Sequence, residues 1–238
     1  MLMENVQLGI YNLTYDEVSS LAYLQEHIYP NENKNYYWTD DFSAPFYIAQ
    51  AKAGFIAVTD VYEERELLLP EIQFSYALLD FKNLHTSKKV ASLIRMQTLH
   101  IEIDDNIEEL AELIDKSHEN NWLSQRYLET LRATHRLDDN FRVVTVYIEA
   151  DGNIVAGEIG YVIGKTYTSL SGFSSKERKY NNYGTAQLVL LGQYLNQNGF
   201  DFWNLGQPYM DYKLALGAKI YERDAFLERW FESTALIK

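Results

Sequence analysis

The most constraining stretch of this chain runs from residue 142 to residue 205. Residues 142–150 and 154–163 are rich in β-branched and aromatic side chains, and the Asp151-Gly152 pair between them is a two-residue hairpin signal. Residues 166–173 offer a third strand. Residues 182–198 are apolar-rich at helical spacing, Gly199 ends them, and residues 200–205 read as a strand again. Antiparallel strands that lead through a helix into another strand can bury their apolar faces only as helices layered on a mixed sheet, so the expected fold class is α/β with an α+β type of mixed sheet. A short helix over 209–216, a strand over 218–222 and a helix ending near Phe231 continue the alternation.

The first half is less sharply patterned. Residues 15–27 have helical periodicity and Pro30-Asn31-Glu32-Asn33 closes them with turn chemistry. Residues 54–61 and 72–79 read as strands, with the charged run Glu63-Glu64-Arg65-Glu66 between them. A boundary near residue 68 divides the chain into a small N-terminal domain, 1–68, and a larger one, 69–238. Helices are expected over 86–95, 106–116 and 124–136, and a strand over 98–103.

Charge restricts the partners. Of 238 residues, 34 are acidic and 21 basic, a net charge of -13 that works against non-specific binding to a polyanion. Eight acids fall between Ile101 and Glu119, where Ile107, Leu110, Leu113 and Ile114 keep helical spacing, so the acids read as the wet face of a helix. Basic residues gather elsewhere, as Lys82, Lys88, Lys89 and Arg95, and as Lys176, Arg178 and Lys179. The absence of cysteine excludes a thiolate nucleophile and a disulfide framework. No run of about 18 apolar residues is present, and the first residues are neither basic nor apolar, so cytoplasmic residence without a membrane is expected. The five histidines have no metal-ligand spacing, and no metal is expected.

Three short patterns suggest a site. Asn181, Gly184, Thr185 and Ala186 stand where a loop gives way to a helix, and small residues there let backbone N–H groups approach an anion. Their spacing resembles the Gln/Arg-x-x-Gly-x-Gly/Ala pyrophosphate loop of acetyltransferases that use acyl-CoA; a helix start that needs Gly184 for close packing explains the pattern equally well. Ser171, Phe173 and Ser174 end a strand, where they would line a polar pocket. Asn204 and Gln207 follow a strand expected to be central, at the end where open α/β sheets bind ligands.

The order of motifs is similar to that of the leucyl/phenylalanyl-tRNA-protein transferases over roughly residues 47–230. Gly54-Phe55, Leu84-His85-Thr86-Ser87-Lys88, Asn121-Trp122-Leu123 and Ile154-Val155-Ala156-Gly157-Glu158-Ile159-Gly160 resemble successive family segments. Ser171, Phe173 and Ser174 match the family's Gly-Glu-Ser-Met-Phe-Ser, Gly199-Phe200 begins its Gly-Phe-x-Leu-Ile-Asp-x-Gln strand, and Leu216-Gly217-Ala218 and Arg223-x-x-Phe226-Leu227 resemble its closing motifs. Two family carboxylates are absent: Leu170 stands in place of the Glu, and Asn204 or Leu205 in place of the Asp before the glutamine.

The resemblance implies an acetyltransferase-like (GNAT) acyltransferase fold. The implied activity moves an amino acid from aminoacyl-tRNA to the N-terminus of a protein, the reaction of the N-end rule, with no cofactor. It also implies that Gln207 positions the reactants, with Asn204 beside it. In place of the absent carboxylates, nearness in sequence offers Asp211 or Tyr212 as the base ahead of Glu158. Trp122, Leu170, Ser171, Phe173 and Ser174 would form the substrate pocket, and Lys88, Lys89 and Arg95 would meet the tRNA. The alternatives are an N-acyltransferase using acetyl-CoA or another acyl-CoA, and a non-catalytic relative that kept the fold.

Overall fold

The computed structural model of the protein describes residues 10–119 and 121–235. Residues 1–9, on which the expectation of no leader segment partly rests, lie outside the described residues. The chain opens with short elements: β1 (Tyr11–Asn12), α1 (Tyr15–Ser19), α2 (Leu21–Tyr23), a π-helical turn (Leu24–Ile28) and β2 (Tyr37–Trp38). The single helix expected over 15–27 is interrupted because two residues act as N-caps. Thr14 and Glu17 form a reciprocal capping box, and Ser20 Oγ accepts from the Tyr23 N–H at 3.3 Å, so a second helix starts where the first ends.

Helix α3 (Ala44–Lys52) leads into a hairpin of β3 (Ile56–Tyr62) and β4 (Arg65–Glu71). Its turn is Glu63-Glu64, both with positive φ (47° and 64°), a conformation that Asn-Gly signals and Glu-Glu does not. The charged run expected to be a connector is therefore a tight turn and the start of a strand, and the strand expected over 72–79 shrinks to β5 (Ser75–Leu79). Residue 68 falls inside β4, where Leu68 pairs with Thr59 and bridges to Thr39. A division there would cut a paired strand, and N-terminal residues such as Leu13, Phe46 and Leu68 share one apolar core with Ile159, Phe202 and Trp230.

There follow α4 (Lys88–Gln97), β6 (Glu102–Asp104), α5 (Glu108–Ser117), α6 (Gln125–Ala133), β7 (Phe141–Ala150), β8 (Asn153–Ile163) and β9 (Thr166–Ser174). The chain then forms α7 (Tyr183–Gln197), β10 (Phe202–Asn204), α8 (Asp211–Leu216), β11 (Lys219–Glu222) and α9 (Arg223–Thr234). Seven strands form one sheet in the order β11-β5-β10-β9-β8-β7-β6, antiparallel except for the β10–β9 pair. This is the mixed α/β class read from the sequence. Of the eight acids expected on a helix face, Glu108, Glu109, Glu112 and Asp115 are exposed on α5 over the buried Leu110, Ala111 and Ile114, whereas Glu102 and Asp104 lie on β6.

The sheet is covered on both sides. Tyr76, Leu78, Ile159, Tyr161, Ile163 and Phe202 face one core with α3, α6 and α9; Ala77, Leu79, Val144, Val146, Tyr167 and Trp203 face a second core with α7 and α4. The period-2 alternation visible along β5 and β10 reflects this two-sided burial.

Candidate active site

The one parallel pair of the seven-stranded sheet creates an opening. Strands β9 and β10 are hydrogen-bonded only where Phe202, Trp203 and Asn204 lie beside Thr166, Tyr167 and Thr168. Beyond that point β9 runs on to Ser174, whereas the chain after β10 turns away at Gly206 (φ 72°). Between the diverging ends lies a cavity of about 1100 Å³.

Trp122, Leu170, Ser171, Phe173 and Ser174, the residues expected to bind substrate, all line this cavity. The Trp122 ring is set edge-on to Tyr127 at 5.2 Å, and the Tyr127 hydroxyl is fixed in turn by Tyr47 (2.6 Å) and the Ala57 carbonyl (3.0 Å). Leu170, in the position of the family's glutamate, packs against the same apolar core as Trp122 and Phe173. It makes this wall oily rather than charged. Opposite them, Asn181, Gly184 and Thr185 line the cavity at the start of α7. A Cβ on Gly184 would lie 2.9 Å from Ser174 Cβ, so the glycine also lets the helix approach β9. Ala186 does not reach the cavity, being buried on the core-facing side of α7.

The residues expected to be catalytic are dispersed. Asn204 is buried and its Oδ1 accepts from the Gly206 N–H at 2.9 Å, so it holds the turn after β10 and does not polarise Gln207. Gln207 points away from the cavity: its Nε2 donates to Glu71 Oε2 at 3.2 Å and to the Tyr36 hydroxyl at 3.5 Å. Glu71, on β4, is thus the carboxylate beside Gln207. Asp211 is exposed in the first turn of α8 and lies off the cavity wall, whereas Tyr212 is on it. Lys88, Lys89 and Arg95 are exposed on α4, which packs against α7 and contributes nothing to the cavity. The basic residues at its rim are instead Lys176 and Arg178, which follow β9 directly.

A buried acid and a buried base face the same cavity. Glu158, on β8, accepts from the Tyr167 hydroxyl at 2.8 Å and the Ser169 hydroxyl at 2.7 Å. Burial pushes its carboxyl pKa up, opposed by these donors, by the nearby Gln187 amide and by the positive charge of Lys213. Lys213, on α8, donates from Nζ to the Leu205 carbonyl and to the Gln207 carbonyl (2.8 Å). Burial draws its pKa down to about 8, with Glu158 pulling the other way. Gln187, from α7, is buried on the same wall with its amide near the Glu158 carboxylate.

One glycine makes the arrangement possible. A Cβ on Gly160 would sit 2.3 Å from the Tyr167 hydroxyl oxygen, so only glycine lets that ring cross β8 to reach Glu158. Sequence reasoning named Glu158 only in passing and missed Lys213. Nothing local marks a lysine on a short exposed helix as buried, and Glu158 and Lys213 are 55 positions apart (213 minus 158). His118 was also missed as a wall residue; its Nε2 lies 2.9 Å from the Gly172 carbonyl.

Other motifs serve the scaffold. Gly217 ends α8 at φ 110°, where a Cβ would lie 2.0 Å from the Asn83 carbonyl oxygen, and the Leu216 carbonyl accepts from the His85 N–H at 2.8 Å. The Leu84-His85 and Leu216-Gly217 motifs are therefore neighbours. Arg223 spends all five of its N–H groups on the carbonyls of Gln73, Tyr29, Asn31, Lys34 and Ile72. Phe226 stacks on Tyr76 with ring centres 3.6 Å apart. Among the described residues no three His, Cys, Asp or Glu side chains converge as a metal site, and no helix is long and apolar enough to cross a membrane.

Distant structural likenesses exist. FemX superposes with a TM-score of 0.47 at 10% identity, covering 88% of this chain and 76% of that one. L-PGS from Bacillus licheniformis gives 0.40 at 11% identity over 67% of this chain and 49% of that chain. The C-terminal domain of a putative lysylphosphatidylglycerol synthetase from Agrobacterium fabrum gives 0.40 at 16% identity over 80% and 58%. The chain thus spans about half the length of these last two proteins. No individually curated protein sequence matches it. The sequence pattern of the leucyl/phenylalanyl-tRNA protein transferases, however, matches residues 78–230, from β5 through most of α9 and including every strand of the cavity wall. The chain belongs to the leucyl/phenylalanyl-tRNA protein transferase family.

Proposed function

We propose that the protein transfers an amino acid from an aminoacyl-tRNA to the amino group of a protein N-terminus. The observation that carries this reading is the open cavity where β9 and β10 part, because its walls hold Trp122, Ser171, Phe173 and Ser174, all within the family-matched residues 78–230. An ester of tRNA is already activated, so the protein has mainly to align amine and carbonyl, stabilise the developing oxyanion and move one proton. Trp122, Leu170 and Phe173 suit an apolar aminoacyl side chain. The hydroxyls of Ser171 and Ser174 are donors for the ester carbonyl, and Lys176 and Arg178 suit the phosphates next to the tRNA's 3′ end. The test is transfer from labelled leucyl- or phenylalanyl-tRNA to a peptide bearing N-terminal Lys or Arg. Absence of transfer at every salt concentration rejects the reading for those donors.

A second reading, an N-acyltransferase using acyl-CoA, is favoured by one observation: Asn181, Gly184 and Thr185 reach the cavity at the start of α7, where backbone N–H groups suit a pyrophosphate. Calorimetric titration with acetyl-CoA separates the two, since this reading requires binding without tRNA.

A further inference from the structure

We infer that Lys213 is the proton acceptor for the attacking amine and that Glu158 is its positioning residue, an assignment that rests on the transfer reaction proposed above. Both side chains are buried, yet both reach the wall of the same large cavity, from α8 and β8 respectively. The two carbonyls that hold Lys213 Nζ, those of Leu205 and Gln207, flank the turn at which β10 leaves β9. A neutral amine has two N–H groups, and two carbonyls account for both, so its lone pair is left to take a proton. An ammonium in the same place has a third N–H without a carbonyl. Burial and Glu158 act on this amine in opposite directions, which places its titration at about 8 rather than at the usual lysine value near 10.4. A lowered value makes the neutral amine far easier to reach near neutral pH than it is for an ordinary lysine. The other titratable groups on the cavity wall are Tyr212, His118, Glu177, Lys176 and Arg178, and Tyr167 lies behind Glu158.

The reaction balances without any further reagent. The neutral acceptor amine attacks the ester carbonyl and a C–N bond forms. The proton released from the resulting ammonium passes to Lys213 Nζ. The intermediate collapses, the bond from the carbonyl carbon to the ribose oxygen breaks, and the same proton leaves Lys213 for that oxygen, giving the amide and a free ribose hydroxyl. Lys213 ends as it began. The family's glutamine is not needed for this step, in keeping with Gln207 being turned toward Glu71.

The alternative is that Lys213 only ties down the chain after β10, and pH separates the two roles. In Lys213→Arg the charge and hydrogen bonds are retained but no proton is released near neutrality. The expected result is a folded protein whose transfer rate falls about 100-fold or more. In Glu158→Gln the negative charge that raises the lysine's pKa is gone, so the rising limb of the rate-against-pH curve moves to lower pH, whereas a limb set by the acceptor's own amine stays in place. Independently of turnover, the protein labelled with 13C at lysine Cε is titrated by NMR, the Lys213 resonance being the one absent in Lys213→Arg. A midpoint near 8 that drops in Glu158→Gln supports the assignment. A midpoint above 10, or wild-type turnover in Lys213→Arg, overturns it. If the wild-type protein transfers no amino acid from any aminoacyl-tRNA, the proposed function fails, and the NMR midpoint still decides whether Lys213 can accept a proton.

Discussion

Gln207 donates its side-chain amide to Glu71 at 3.2 Å, joining the end of β10 to a strand of the small hairpin 136 positions earlier. Asn35 Nδ2 donates to the other oxygen of the same carboxylate at 2.7 Å. Glu71 is therefore the acceptor that two half-buried amides share. Glu71→Ala leaves both donors without it and is expected to lower stability by about 1–3 kcal/mol in urea denaturation. Gln207→Ala is expected to keep the transfer rate within about tenfold of wild type, because the amide lies off the cavity. A drop nearer the 100-fold typical of a group that handles the proton would return it to the reaction.

Arg223 holds together two segments distant in sequence. Its five hydrogen bonds join the segment 29–34 to the connection between β4 and β5. Arg223→Lys keeps the charge but lacks the planar fork, so at least two carbonyls are left without their donor. A destabilisation of about 3 kcal/mol is expected, at the upper end for buried polar groups. An unchanged urea midpoint would show that water replaces the guanidinium at no cost.

Stability should fall in acid partly through Asp80. Burial raises its pKa, but the hydrogen bond (2.6 Å) and charge of Arg229, together with the Tyr221 hydroxyl, lower it further, leaving it below the ordinary aspartate value. A folded-state pKa below the unfolded one, about 3.9, contributes stability that is fully present above the unfolded value and is lost as pH falls through the folded value. Arg229→Met is expected to flatten the urea midpoint between about pH 5 and pH 3 relative to wild type. Parallel curves would show that the pair is too well hydrated to matter.

The basic rim gives a salt-dependence prediction. In the double variant Lys176→Gln/Arg178→Gln, KM for aminoacyl-tRNA should rise, and the slope of log affinity against log salt should become shallower by about 0.7 for each phosphate that is no longer neutralised. Lys88→Gln/Lys89→Gln on α4 should leave that slope unchanged. The reverse pattern would place the RNA across α4.

The sequence by itself determined the three long strands β7, β8 and β9, the helix α7 and the strand after it, because hairpin chemistry at Asp151-Gly152, helical periodicity and the stop at Gly199 act over a few residues each. It also determined the cavity's apolar side, since Trp122, Phe173 and their neighbours lie in motifs whose order survives. It did not reveal β4, whose Glu63-Glu64 turn carries no turn residue, or the break at Ser20, where a serine inside an apolar pattern caps a new helix. The residues around the chemistry were decided only by tertiary structure. Glu71 met Gln207, and Glu158 met the same cavity as Lys213, because segments far apart in sequence became neighbours around the place where the sheet opens. Burial, which shifts the lysine and the glutamate toward each other in pKa, is a property of that packing and is written in no segment of the chain.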